Sequence, residues 1–480
     1  MSNLKFHLPR LNTNHKPTDR AFRLALGDLC SNTVYFQDGL LEKPEPVFLA
    51  GLDYSTPWTR DAAINVWNGG GLLFPEAAKA TLLSVLTKQS NGRIVVSGQY
   101  WDAIIWVCGA WAYYLYNGDR DFLRLALDVT DNSLRMFEAA EFDSALGLFR
   151  GAACYGDGVA AYPDIYAQTE GKSAILAWPA ANPDKVAKPG YGLPMMALST
   201  NCLYLQAYEL ADLMAVELGR LPDPTWNGKA TALRQAIQKH FWMPNAERFR
   251  YLTDPFGGCD HQEGLGHAFA LLFGLTDERQ TASVFRQQYV SEWGIPCVWP
   301  TFARYQTKGA AHFGRHSGTV WPHIQGFWAH AAARYGQILV FQKELEKLTK
   351  AANRYGQFLE IYHPFTGEPY GGEQEGRKTP TPWKSCERQT WSATAYLRMV
   401  LMGLFGMDFS PSGVCFQPTV PAVYQKLELQ GFSWRQTVLH IAIEGNGNSL
   451  VEFQLDGQKL DQAFLPVNLK GERRVSLKLG

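Results

Sequence analysis

The chain has little that would send it to nucleic acid, a membrane or a metal. Its 45 basic residues are matched by 45 acidic ones, so the formal net charge is zero. Phosphate binding requires a basic surplus, and nucleic acid is not the expected partner. No apolar run is long enough to span a bilayer. The opening MSNLKFHLPRLNTNHK has no hydrophobic core of a signal peptide, and the expected location is cytoplasmic. The eight cysteines, Cys30, Cys108, Cys154, Cys202, Cys259, Cys297, Cys386 and Cys415, are scattered without CxxC spacing, which argues against structural zinc and a disulfide framework. There is no GxSxG, no phosphate-binding loop and no dinucleotide fingerprint. No cofactor and no metal are expected, and no internal repeat or polar linker divides the chain.

Aromatic residues are abundant, with fifteen tryptophans and twenty-one tyrosines. Trp58, Trp101, Trp299, Trp321 and Trp383 stand beside Gly, Pro, Asp or His, in contexts that read as loops. A large core residue would not need such neighbours, whereas a carbohydrate cleft uses both. The stretch Tyr54–Gly71, YSTPWTRDAAINVWNGGG, concentrates this chemistry. Trp58 offers a flat apolar face, and Arg60 and Asp61 offer donors and acceptors side by side. A sugar ring presents the complement, an apolar C–H face with a rim of hydroxyls. The competing reading is an Arg–Asp ion pair at the start of a helix.

Apolar spacing predicts helices over about residues 18–30, 59–68, 75–88, 101–117, 119–139, 197–219, 224–240, 261–273, 276–289, 318–335, 338–357 and 389–405. Asn117-Gly118-Asp119 and Leu275-Thr276-Asp277 are turn-and-cap signals within helix pairs. Twelve helices joined as hairpins imply a mainly α chain, an (α/α)6 toroid of six helical hairpins. Residues 1–17 read as irregular. After Phe405 the pattern alternates with period two and turns at Gly445–Asn448 and Asp456–Gly457, which predicts antiparallel strands. The expected organisation is a toroid over 1–405 and a small C-terminal antiparallel β-sandwich over 406–480, docked rigidly.

The long irregular stretches are 140–196, 241–260 with 290–317, and 358–388, and long loops concentrate function. In FRGAACYGDGVAAYPDIYAQ, Asp157 lies between two glycines that let backbone approach a ligand, with Tyr155 and Tyr162 to dry the carboxyl. A desolvated carboxyl has a raised pKa and can act as general acid. An Asp in a glycine turn is the plain alternative, and Asp164 reads as a helix start. In FLEIYHPFTGEPYGGEQEG, residues 358–376, Glu360 is read as closing a helix, where the dipole disfavours a carboxylate. One acid and one base on two loops are what glycoside hydrolysis needs. Gln99-Tyr100-Trp101-Asp102 and the stretch from Arg315 through His316, Ser317 and Trp321 to His323 open two further helices. The two histidines lack a carboxylate or thiolate at ligand spacing.

Together these motifs resemble the inverting α/α-toroid glycosidases, a superfamily that includes glucoamylases, trehalases, debranching amylo-glucosidases, glycoside hydrolase family sixty-three and the α-rhamnosidases. Trp58-Thr59-Arg60-Asp61 is similar to the W-x-R-D segment of glucoamylases and debranching enzymes, where the Arg–Asp pair grips the terminal glucose. Asp157 falls where these families place the general acid. Glu360, in EIYHPFTGE, is similar to the segment carrying the base in family sixty-three. Cys386-Glu387-Arg388-Gln389-Thr390-Trp391-Ser392 resembles the start of the last helix in debranching enzymes. The tail after Phe405 resembles the small β-domain closing α-rhamnosidases and disaccharide phosphorylases. The N-terminal β-sandwich common in these families is missing or reduced, and the acid loop is not the glucoamylase or trehalase version.

The resemblance implies an exo-acting, inverting glycosidase that releases a glucose-like sugar from an α-linked oligosaccharide or small glycoside. Asp157 would be the acid and Glu360 the base, roughly 6.5–9.5 Å apart, with Glu375 and Glu387 as alternatives for the base. Trp58, Arg60, Asp61, Trp101, Asp102, Arg315, Trp321 and His323 would bind substrate and converge on one pocket. A phosphorylase using Arg315, His316 and Ser317, and a sugar epimerase or glycan-binding toroid using His316 or His323, are the alternatives.

Overall fold

Twelve helices of seven or more residues run through the computed structural model, which describes residues 8–375 and 381–480. The first seven residues of the stretch read as irregular, and residues 376–380 of the 358–388 loop, lie outside the described residues. The helices are α1 (Lys16–Ser31), α2 (Thr59–Asn65), α3 (Pro75–Ser84), α4 (Trp106–Asn117), α5 (Arg120–Glu141), α6 (Leu198–Glu217), α7 (Trp226–Phe241), α8 (Gly264–Leu272), α9 (Glu278–Gln287), α10 (Pro322–Arg334), α11 (Ile338–Tyr355) and α12 (Thr390–Arg398). Each overlaps one of the twelve expected segments. α5 begins where Asp119 accepts from the Phe122 amide at 2.9 Å, after Gly118 has ended α4 in the left-handed conformation. α9 begins with a capping box between Asp277 and Gln280. These side chains satisfy amides that a helix start leaves orphaned.

The even-numbered helices form an inner ring. α2 packs on α4, α4 on α6, α6 on α8, α8 on α10, α10 on α12, and α12 back on α2, which closes the toroid. α8 and α12 are buried at every position, as a helix surrounded by others must be. The outer α1, α5 and α11 alternate buried and exposed faces. Close approach inside the ring depends on small residues. A Cβ on Gly109 of α4 would lie 2.8 Å from the Cα of Ala63 in α2, and one on Gly326 of α10 would lie 2.7 Å from the Cβ of Ala395 in α12.

The tail folds into two sheets. Strands β1 (Arg10–Asn12), β2 (Met407–Phe409), β3 (Gly413–Phe416), β4 (Lys426–Trp434), β5 (Thr437–Glu444), β6 (Leu450–Leu455), β7 (Gln458–Lys459), β8 (Phe464–Pro466) and β9 (Gly471–Leu479) make a six-stranded sheet in the order β1-β4-β5-β9-β6-β7 and a three-stranded sheet β2-β3-β8. Two expectations need correction. β9 pairs parallel with β5, Thr437 opposite Gly471, because the chain inserts its last strand between β5 and β6 instead of adding it at an edge. β1 comes from the segment read as irregular, and it pairs with β4, Leu11 opposite Leu429, so a division at 405/406 parts one strand from its sheet. The tail also docks on the ring. Thr419 Oγ1 donates to the carbonyl of Ala333 at 3.1 Å and Arg435 Nη2 to that of Leu115 at 3.1 Å. No helix among the described residues is long and apolar enough to cross a membrane.

Because Gly326 faces backbone as well as side chain of α12, Gly326→Ala should destabilise the protein by about 1–3 kcal/mol. Gly228 in α7 has nothing within 4 Å of an added Cβ, so Gly228→Ala should instead raise stability, by about 0.5–1 kcal/mol. Urea midpoints of the two variants check the contrast.

Candidate active site

The N-terminal ends of the inner helices meet the long loops at one pole of the ring, and there they enclose a cavity of about 300 Å³. Trp58, Arg60, Asp61, Asp102, Asp157, Arg315, Trp321 and Glu360 line it, together with Tyr54, Gln99, Gln374, Trp383 and Trp391. Trp101 and His323 do not. Trp101 is buried beside its cavity-lining neighbour Asp102, with its Cβ against Gly151. His323 lies behind the wall, its ring stacked on Trp391 at 4.4 Å.

Glu360 is held from three sides. Arg315 Nη2 and the Tyr54 hydroxyl donate to its Oε1 at 2.9 and 3.1 Å, and the Cys386 amide donates to Oε2 at 3.3 Å. Burial and the Glu360 carboxylate push the Tyr54 phenol up, which keeps it a donor. Glu360 does not close a helix: α11 ends at Tyr355 with Gly356 in the left-handed conformation, so the dipole argument does not apply to it. Instead the Glu360 amide donates to the Cys386 carbonyl at 2.9 Å, and its neighbour Tyr362 exchanges two backbone bonds with Val320.

Asp157 lines the same cavity from the glycine turn. Gly158 permits the turn to lie against Gln374, whose amide a Cβ would strike. Tyr155 and Tyr162 are fully buried, but the Asp157 side chain is 51% exposed. Its Oδ2 is 4.0 Å from Arg60 Nη2 and its Oδ1 is 3.8 Å from His316 Nε2. Burial works to raise its pKa, yet Arg60, His316 and Arg315 outweigh it and hold the carboxyl below its ordinary value. The expectation of a raised pKa is therefore reversed in the free protein. His316 itself is pushed down to about 3, chiefly by burial.

Arg60 does not bond its sequence neighbour. It donates to Asp102 Oδ2 at 3.3 Å and to the Cys154 carbonyl at 3.0 Å, and its guanidinium lies 5.5 Å from the ring of Trp391. Adjacent residues on a helix point about 100° apart, so Arg60 and Asp61 diverge. Asp61 and Asp102 are both pushed up to about 7, mainly by burial, with Arg60 pulling each down. Arg315 lies over two indoles, 5.3 Å from Trp321 and 5.0 Å from Trp383.

The other carboxylates considered for the base are placed elsewhere. Glu375 is bound by Arg304 at 2.6 Å and by the Tyr305 hydroxyl at 2.7 Å. Glu387 lines a neighbouring cavity and lies 3.9 Å from Lys384. The Ser317 hydroxyl is engaged by Thr301 at 2.8 Å and the Phe302 amide at 2.9 Å, so it does not join Arg315 and His316 in a phosphate cradle. Among the described residues no group of three or more His, Cys, Asp or Glu is placed to hold a metal ion. Tyr54, Trp383 and Trp391 were not singled out as binding residues from the sequence. Tyr54 opens the aromatic stretch, Trp383 is one of the loop tryptophans, Trp391 lies in the Cys386–Ser392 motif and Gln99 opens the stretch that ends at Asp102, so the signal is present; Gln374 carries none.

The family model of the mannosylglycerate hydrolase MGH1-like glycoside hydrolase domain matches residues 103–392, more than half of the chain. The chain belongs to this family. The match includes Asp157, Arg315, Trp321, Glu360 and Trp391, and it begins after Arg60, Asp61 and Asp102. Among solved structures, the GH63 mannosylglycerate hydrolase from Thermus thermophilus in complex with Tris and D-glycerate is similar over 79% of this chain and 100% of its own, at 15% identity and TM-score 0.59. A structure described as a sialidase is similar over 95% of this chain, at 13% identity and TM-score 0.67, and the GH78 family rhamnosidase of Bacillus sp. GL1 over 98%, at 12% and 0.59. The chain spans 40% of the sialidase and 44% of the rhamnosidase. These likenesses show the shared toroid. A comparison with curated proteins gives no match.

The raised values of Asp61 and Asp102 have a consequence for stability. The folded protein binds their protons more tightly than the unfolded chain does, so their contribution is complete below the unfolded value of 3.8 and is lost as pH rises towards 7. Asp102→Asn removes one of the two groups. Its melting temperature should fall less than that of the wild type between pH 5 and 7.5, as followed by thermal melts in matched buffers.

Proposed function

We propose that this glycoside hydrolase family member is an exo-acting, inverting enzyme that cleaves a small α-glycoside. The observation that carries this reading is that Asp157 and Glu360 line one cavity, Glu360 fixed by three donors and Asp157 half-exposed. Asp157 acts as the acid on the glycosidic oxygen, and Glu360 is the base for the attacking water. A sugar entering between Asp157 and the guanidinium of Arg60 displaces water and separates the charges, which raises the Asp157 pKa towards a working value. Arg60, Asp61 and Asp102 bind ring hydroxyls, and that remote binding orients the ring for attack.

A cavity of about 300 Å³ is at the small end for ligand sites and suits one sugar ring with a short aglycone better than a long glycan. The substrate we favour is accordingly a sugar linked to a small acid such as glycerate, the kind of compound that the Thermus relative's name describes. Release of glucose from oligosaccharides is the alternative.

Hydrolysis of mannosylglycerate, glucosylglycerate and maltose tests the substrate. The first two should turn over and maltose should be poor; the reverse order contradicts the choice. Asp157→Asn and Glu360→Gln should each lower kcat by about two to four orders of magnitude. An aryl glycoside with a good leaving group should restore turnover to Asp157→Asn and leave Glu360→Gln inactive, because it needs no acid but still needs the base. Equal rescue of both variants, or neither, contradicts the assigned roles. Glu375→Gln and Glu387→Gln should retain turnover.

A further inference from the structure

The opposite pole of the ring holds a second cavity, of about 490 Å³, at the C-terminal ends of the inner helices. Trp67, Trp111, Tyr116 and Phe273 form apolar walls, and Arg398 and Arg334 bring two guanidiniums. Neither Arg has a carboxylate at ion-pair distance among the described residues.

Cations are favoured at helix C-termini, and Arg334 does that work directly, donating to the Leu272 carbonyl at the end of α8 at 3.2 Å. Arg398 does not. It is 2% exposed, and its bonds go to side chains, Nε to His330 Nδ1 at 3.1 Å and Nη1 to Asn68 Oδ1 at 2.9 Å. Its guanidinium lies between the rings of Trp67 at 4.6 Å and Phe327 at 4.4 Å. Nη2 donates to no described atom. Burial lowers the Arg398 pKa to about 10, so the group stays charged at neutral pH, while burial and the two guanidiniums keep His330 neutral. A buried cation with no counter-ion and a free N–H edge, set in a cavity of ligand size, is arranged to receive an anion.

The backbone is specialised at the same place. The π-helical segment Met399–Leu404 continues α12 beside this cavity and carries Met402, and Val66–Gly70 continues α2 across a kink and carries Trp67 and Asn68. Gly69 takes φ 119° to do so. Single π turns inserted in α-helices occur often at functional sites, because they re-aim side chains that a regular helix would direct elsewhere.

We propose that this pole is a second ligand site for a small anionic sugar derivative, a sugar acid or sugar phosphate. The oxyanion meets the free edge of Arg398, the ring lies against the aromatic walls, and Gln206 and Asp408 at the lining accept or donate to hydroxyls. The site is distinct from the active-site cavity and would give the enzyme a means to sense an anionic metabolite.

Isothermal titration with glucuronate, glucose 6-phosphate and neutral glucose tests this on the full chain. At least one anion should bind saturably to the wild type and to Asp61→Ala. Arg398→Met and Leu213→Glu should each weaken that binding tenfold or more and leave glucose binding unchanged. Leu213 lies at the rim and is 48% exposed, so its variant should fold and decides the matter if Arg398→Met does not. Binding of glucuronate alone identifies a sugar acid, and of glucose 6-phosphate alone a sugar phosphate. No saturable anion binding, binding unaffected by Leu213→Glu, or binding lost in Asp61→Ala would overturn the proposal.

Discussion

The structure depends on how closely the six inner helices approach one another. α4 meets α2 through Gly109 and Ala63, and α10 meets α12 through Gly326 and Ala395, contacts with no room for one more methyl. Closing the ring in this way aligns all the inner helices so that their N-terminal ends share one pole and their C-terminal ends the other. The two cavities inherit opposite electrostatic settings from that arrangement. At one pole carboxylates gather on helix starts and loops. At the other, arginines meet helix ends.

Charge balance then sets the character of the candidate active-site cavity. Four carboxyls, Asp61, Asp102, Asp157 and Glu360, share two guanidiniums, Arg60 and Arg315. Arg60 serves Asp102 and Asp157 at once, and Arg315 serves Glu360. There is too little positive charge to ionise all four comfortably in a desolvated space, and burial falls hardest on Asp61 and Asp102. Asp157, at the mouth, is the carboxylate whose surroundings a bound sugar would change most. Glu360, deep and triply bonded, is the one whose position a bound sugar would change least.

Much of this was legible in the sequence where the signal was local and repeated. Helices such as α1, α5 and α11 are long periodic segments, and Asp119 and Asp277 cap theirs by accepting from the amides of Phe122 and Gln280, within the same turn. What was not legible is long-range or angular. A three-residue strand such as β1 has no period to read, and its partner lies more than four hundred residues away. The parallel pairing of β5 and β9 is a matter of strand order, which alternation does not encode. In the site, adjacency misled twice. Arg60 and Asp61, and Trp101 and Asp102, are neighbours in sequence that point to different sides of a helix turn, so Arg60 finds Asp102 and Trp101 turns into the core. Asp157 and Glu360, which the structure brings to one cavity, are marked in the sequence by glycine turns and aromatic neighbours, although the reason read there for Glu360, a helix end, is not the physical one.

The proposed reaction is a single displacement by water across the sugar, with Asp157 on one face and Glu360 on the other. Proton NMR of the sugar released in the first minutes of turnover, before mutarotation equalises the anomers, reads this directly. An α-glycoside should yield the β anomer first. First appearance of the α anomer would mean a retained configuration and a covalent intermediate, and would contradict the roles assigned to both residues.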